Sequence, residues 1–210
     1  MTRHTGEVTL RALLIQRAAR LQDRPAFTCA PWPTLSYAQL RNRAEGVGLG
    51  LLANGVPEAT FAAGHGPWDW MAELAAATAG VRWDPAAAPL DPAVLGGPRF
   101  NDEHGRGPLH DREDAVDEAT PFTATLTHGE CLRRLARLNG ALGWDHETVM
   151  TLPLEAWGTP VLRGALWSAL YAGAHAVLAP RPEPPGRLAR WLGATPPPAF
   201  DPAPFQALGL

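Results

Sequence analysis

Between Thr9 and Leu21 the apolar positions Leu10, Leu13, Leu14, Ala18 and Leu21 recur at helical spacing, with Arg11, Arg17 and Arg20 elsewhere on the wheel. The pattern predicts a surface helix that Arg24-Pro25 ends. Ala26 to Cys29 is a short apolar run suited to a strand, and Ala30-Pro31-Trp32-Pro33 supplies a turn into a small hairpin with Thr34-Leu35. Ser36 and Gln39 then make a capping box. Tyr37, Leu40, Ala44, Val47, Gly48, Leu51 and Leu52 form one stripe up to Asn54-Gly55, which predicts a helix over Tyr37–Ala53. Gly46, Gly48 and Gly50 each cost about 1 kcal/mol relative to Ala in a helix, so they point to a close backbone approach on that face.

Thr60 to Ala63 reads as a short buried strand, Trp68 to Ala79 as a helix stopped by Gly80, and Val81 to Trp83 as the next strand. After Asp84-Pro85 the periodicity dissolves. It returns with Phe122–Leu126, an alternating segment read as a strand, followed by a second capping box from Thr127 to Glu130. Leu132, Leu135, Leu138 and Leu142 form the stripe of the next helix, opposite Arg133, Arg134 and Arg137. Val149 to Leu152 reads as a buried strand. From Val161 to Ala172 only Arg163, Ser168 and Tyr171 are polar, which predicts a helix buried nearly all round and closed by Gly173. Ala174 to Ala179 is the strand it feeds. Leu188 to Leu192 is a short helical stretch, and Pro196-Pro197-Pro198 forbids regular structure. Strand, helix, Gly, strand with short connections predicts an α/β fold, a mostly parallel sheet flanked by helices, in one domain over residues 1–210. Residues 84–121 form an acidic Pro/Gly-rich loop and residues 194–210 a Pro-rich tail.

Composition narrows the chemistry. All 18 basic residues are Arg, so the 210 residues contain no phosphate-binding, Schiff-base or general-base lysine. Ser occurs only at Ser36 and Ser168, neither in a nucleophile-elbow setting. A net charge of -3 argues against nucleic acid or anionic lipid as a partner. No apolar stretch suits a membrane span, and residues 1–23 show no export signal. Cys29 and Cys131 stand alone and read as reduced core thiols of a cytoplasmic protein.

Asp102, Glu103, Asp111, Glu113, Asp114, Asp117 and Glu118 crowd residues 101–121 with almost no apolar content, so this stretch is expected to be exposed and without a core residue, and residues 101–118 to be mobile and dispensable for folding. His104, His110, Asp111 and Glu113 carry metal-ligand chemistry but match no metal spacing, and are read as part of that solvated loop. His65 lies between two glycines without an identifiable catalytic partner and reads as a turn histidine. Arg133, Arg134 and Arg137, with the helix start at Thr127 to Glu130, have the chemistry of a phosphate site. Glu130 opposes an anion there, so the arginines read as a solvated face. No catalytic residue, metal or cofactor is assigned.

Several strings in order resemble the N-terminal part of the AMP-forming acyl-adenylate enzymes, the acyl-CoA synthetase and peptide-synthetase adenylation family. They are Thr9 to Leu21 with Arg24-Pro25-Ala26, Leu35-Ser36-Tyr37-Ala38-Gln39-Leu40, Ala53-Asn54-Gly55-Val56, Ala77-Thr78-Ala79-Gly80, Leu126-Thr127-His128, Leu152-Pro153-Leu154 and Leu170-Tyr171-Ala172-Gly173-Ala174. The likeness is strongest over residues 9–85 and fair over 122–181. It implies half of the N-terminal domain of such an enzyme.

Members of that family carry a glycine-rich phosphate loop with a Lys just before the Leu-Thr-His strand end. Here Ala119 to Thr125 stands in its place, with neither Gly nor Lys. The family's Leu-Pro-Leu-Phe-His segment, which borders the acyl pocket, appears as Leu152-Pro153-Leu154-Glu155-Ala156-Trp157-Gly158, so the His is replaced. The resemblance also implies that the adenine, magnesium and ribose sites and the catalytic Lys of the family's later segments lie outside this sequence. The expected protein is therefore a degenerate, non-catalytic binding or assembly module. Alternatives are a small-molecule carrier with an acyl or aryl pocket, an accessory subunit of an acyl-adenylating ligase, and an enzyme with new chemistry at His65 or the acidic loop. Trp157, Gly158 and His128 are the ligand-pocket candidates, with Trp157 either stacking on a ligand or filling the pocket. Eight Trp residues predict exposed aromatic area and a homodimer, or pairing with a full-length synthetase or other protein. The tail either crosses to the partner or folds back over its own chain.

Overall fold

Side-chain caps set where the helices begin. The computed structural model describes residues 9–56, 58–59, 67–84, 87, 116–180 and 200–210. Helix α1 (Leu10–Leu21) starts where Thr9 accepts the Ala12 amide, and α2 (Tyr37–Ala53) starts at the complete Ser36/Gln39 capping box. Helix α3 spans Pro67–Ala79. Helix α4 (His128–Leu142) opens on the Thr127/Glu130 box and closes on left-handed Gly143. Helix α5 (Pro160–Ala172) has Thr159 as its cap, Pro160 in its first turn and left-handed Gly173 at its end. The stripes and caps predict these helices, with α3 and α5 each starting one residue earlier, at Pro67 and Pro160.

Strands β1 (Pro25–Cys29), β2 (Leu35–Ser36), β5 (Val149–Pro153) and β6 (His175–Ala179) form one sheet in the order β2-β1-β6-β5. β1 and β5 both run parallel to β6, while β2 is the antiparallel hairpin partner of β1. Helix α5 is thus the crossover of a β5-α5-β6 unit. A second pair, β3 (Glu58–Ala59) and β4 (Arg82–Trp83), is parallel and linked through α3. Phe27, Cys29, Met150, Leu152, Ala176 and Leu178 point to the helices and are buried. The fold is α/β with a mostly parallel sheet flanked by helices, as the sequence predicts.

Three expectations are corrected. Phe122–Leu126 is not a strand: the Phe122 and Thr123 amides both donate to the Leu126 carbonyl, at 2.8 and 3.0 Å, and Thr123 Oγ accepts the Thr125 and Leu126 amides. The Thr hydroxyl closes a tight turn that outcompetes extended pairing, bracketed by one bridge between Pro121 and Thr127. Strand β5 alternates instead of being buried throughout, because only Met150 and Leu152 face the helices while Val149 is 63% exposed. Val116 is a core residue inside the acidic segment, its methyl resting over Gly80.

The expectations for Thr60–Ala63, His65, His104, His110, Asp111, Glu113, residues 101–115, Leu188–Leu192 and Pro196–Pro198 lie outside the described residues. Of the tail, residues 200–210 fold back on their own chain. The short helix α6 (Ala203–Gln206) packs on α5 and buries Phe205 and Leu208.

Candidate functional site

The turn before α4 and the first residues of that helix occupy the place where the family resemblance puts a phosphate loop. Asp117 Oδ1 accepts the amides of Ala119 and Thr120, both at 2.9 Å, and the Thr120 hydroxyl at 3.0 Å. The carbonyls of Thr120 and Glu118 accept the amides of His128 and Gly129 at 3.0 and 2.9 Å. Thr127 Oγ1 and Glu130 Oε2 close the capping box from either side at 3.2 Å. A helix start ordinarily offers free N–H groups and a positive dipole end to an anion. Here the groups are engaged and carboxylates stand around them. A Cβ on Gly129 would come within 2.9 Å of the Glu118 Cβ, so that chain lies directly against the helix.

His128 is wholly buried on α4. Its Nδ1 accepts the Leu10 amide at 3.2 Å, which places the proton of the neutral ring on Nε2 and ties α4 to the first turn of α1. The ring meets Phe122 edge-on at 5.8 Å. Burial pushes its pKa down to about 4, with the charge of Asp117 acting in the opposite direction.

Trp157 follows the 3-10 turn Leu154–Ala156 at the carboxyl end of β5 and is half-buried. Its indole N–H donates to Asp69 Oδ2 on the first turn of α3 at 2.6 Å. Gly158 is exposed and takes φ of 78°, a conformation that suits glycine at the sharp entry to α5. Trp157 and His128 share no hydrogen bond or ring contact among the described residues. A separate cavity lined by Phe27, Tyr37, Trp70, Leu166 and neighbours holds about 10 Å³, the space of a single water.

Sequence reasoning missed a buried polar cluster between α3 and α5. Arg163 donates from Nε and a terminal nitrogen to the two oxygens of Glu73 at 2.9 and 2.7 Å, and Trp167 Nε1 donates to the same carboxylate at 2.8 Å. The guanidinium also lies over the Trp83 ring, 5.5 Å from its centroid. Each ion is the lone charge within an apolar stretch of its helix. Opposite single charges set in two apolar stretches, Trp70–Ala79 and Val161–Ala172, were the available signal. Burial, and after it the Glu73 carboxylate, push the Cys131 thiol up to about 12. Cys29 and Cys131 are free and buried, as expected. Of the arginine face, Arg133 pairs with Glu118 at 3.8 Å, and Arg134 donates to the Leu208 carbonyl at 2.7 Å, so Arg134 clasps the tail. No group of metal-ligating side chains occurs among the described residues.

This arrangement has the fold of the N-terminal subdomain of adenylation domains. The N-terminal subdomain of Klebsiella oxytoca NpsA, solved with anthranilyl-AMSN, superposes with a TM-score of 0.58 at 16% identity over 92% of this chain and 58% of that one. IdnL7 gives a TM-score of 0.58 at 18% identity over 83% of this chain and 46% of its own. The fused adenylation–PCP di-domain NpsA-ThdA gives 0.55 at 16% identity, with 89% and 42% covered. The chain thus spans about half the length of the solved proteins it matches, and the likeness is one of fold. No family model and no curated protein matches the sequence.

Proposed function

We propose that this protein is a binding or assembly module built on the adenylation-domain fold and that it carries out no nucleotide chemistry. The observation that carries this reading is the start of α4, whose amides are taken by Thr127, Glu118 and Glu130 while Asp117 gathers the turn before it. A triphosphate brought there would displace these bonds and face like charge. The 210 residues hold no Lys to offset that repulsion. The half-buried Trp157, bonded to Asp69, further supports a filled cleft over an open acyl pocket.

Titration calorimetry with ATP and magnesium, together with a pyrophosphate-release assay over aryl and alkyl acids, tests the reading. No heat of binding and no release are expected. Micromolar ATP binding or acid-dependent pyrophosphate would overturn it. Association with a second copy belongs to the same proposal, although Trp167 is buried within the chain and Phe205 and Leu208 cover part of the apolar surface. A monomer mass of 22.5 kDa by light scattering at micromolar concentration would remove self-association. Among the described residues, no helix is long and apolar enough to cross a membrane.

A further inference from the structure

We propose that the groove along α5, rimmed by α4, is a docking site for a peptide carrying a Phe-x-x-Leu-x-Leu segment, and that the chain's own residues 200–210 hold it closed. The inference rests on the assembly reading and names the partner chemistry for it. The terminal segment shows what the groove accepts. Phe205 is 3% exposed, stacks on Phe200 at 5.5 Å and meets the tilted Trp144 ring at 5.6 Å, while Leu208 and Leu210 are also buried.

The groove floor is built for close contact. A Cβ on Gly164 would lie 3.0 Å from Leu208 Cδ1 and 3.2 Å from the Phe205 carbonyl oxygen, so a side chain at Gly164 crowds the segment. Arg134 reads the peptide backbone by donating to the Leu208 carbonyl at 2.7 Å. An aromatic anchor on a short helical turn, leucine anchors just beyond it and one main-chain hydrogen bond from the rim make an apolar seat that reads a short peptide by side chain and backbone together. The segment has only four helical residues and no side-chain cap, so its seat depends on these anchors and not on helix formation of its own.

A segment tethered in the same chain acts at an effective concentration on the order of millimolar, so it excludes a free peptide at micromolar concentration. A partner engages only when the tail lifts.

The test uses the full chain with F205D/L208D, which unseats the tail, and a fluorescently labelled synthetic peptide of residues 200–210. Anisotropy is expected to show binding at least about tenfold tighter to the variant than to the wild type. Adding G164L to the variant is expected to abolish that binding. A folded F205D/L208D chain that ignores the peptide, or a wild type that binds it equally, overturns the proposal.

Should the double variant fail to fold, hydrogen exchange on the wild type decides. The amides of Phe205, Gln206 and Leu208 are expected to exchange together and at least about tenfold faster than those of Leu166 to Leu170. Equal protection would make the tail an integral part of the core and end the proposal. Neither outcome bears on ATP, so failure here leaves the absence of nucleotide chemistry to its own assay.

Discussion

Removing one member of the Glu73–Arg163 pair should be among the most damaging single changes in this chain. Glu73 is 2% exposed and takes three hydrogen bonds, two from the Arg163 guanidinium and one from the Trp167 indole. R163M deletes two of those donors and the compensating charge, leaving a carboxylate in the core with the indole alone. Breaking a buried pair in this way costs about 3–5 kcal/mol, a large share of the roughly 5–15 kcal/mol that holds a domain folded. With a urea slope of about 2 kcal/mol/M, the unfolding midpoint falls by about 2 M. E73Q/R163M removes both charges but keeps an oxygen for the Trp167 N–H, and replacing an ion pair by well-packed neutral groups is often close to neutral. The double variant should therefore recover most of the loss. Urea melts of wild type, E73Q, R163M and the double variant, followed by circular dichroism and tryptophan fluorescence, close the cycle. A cost below about 1 kcal/mol for R163M, or single losses that simply add in the double variant, would refute the coupling.

Stability should also fall with acid in a window set by His128. The folded ring titrates near about 4 against an ordinary 6.5, so as pH drops between those values the unfolded chain takes up a proton that the folded one does not. Stability is then level above about pH 6.5 and lower by about 3 kcal/mol near pH 4, and H128Q should flatten the slope in urea melts taken across that range. A wild-type profile without this fall would contradict the buried neutral ring. Burial also raises both thiols, Cys131 to about 12, so a thiol-specific reagent at neutral pH should label neither cysteine until urea unfolds the chain. Rapid labelling of the native protein would show that a thiol is accessible.

What the sequence carried and what it hid follow from the range of each interaction. The Ser36/Gln39 and Thr127/Glu130 boxes are local chemistry three residues long, and both form as written. The apolar run of α5 forces burial on every side, so its depth was legible too. Phe122–Leu126 misled because apolar and threonine positions alternate with the period of a strand, while the deciding contact is Thr123 Oγ binding amides two and three residues onward. The apolar letters of β5 predict a buried strand, yet β6 is its single strand neighbour among the described residues, and Val149 and Thr151 face outward. Glu73 and Arg163 are 90 positions apart, and no local pattern joins them. The candidate site was the least legible part. Trp157 and His128 were joined only by a family resemblance, whereas the structure gives one to Asp69 and the other to the first amide of α1.

The start of α4 shows how an α/β scaffold and anion chemistry compete for the same atoms. Unbonded amides at a helix N-terminus are a cost to the fold and a resource to a phosphate. In this chain Glu118 and Glu130 stand within the first turn of α4 or directly against it, and an acid so placed stabilises a helix by about 0.3–1 kcal/mol each. The same charges raise the energy of any phosphate approaching the turn. Asp117 adds to both effects, since its carboxylate is held ionised by the Thr120 hydroxyl and the amides it gathers. A turn organised in this way secures the junction of β4, α4 and α1: the Trp83 amide donates to the Phe122 carbonyl at 2.7 Å, and Phe122 carries the contact on to Trp167 at 5.4 Å. The segment thus contributes to the fold through its own hydrogen bonds and its buried phenylalanine, which is the physical basis for reading the start of α4 as a structural junction.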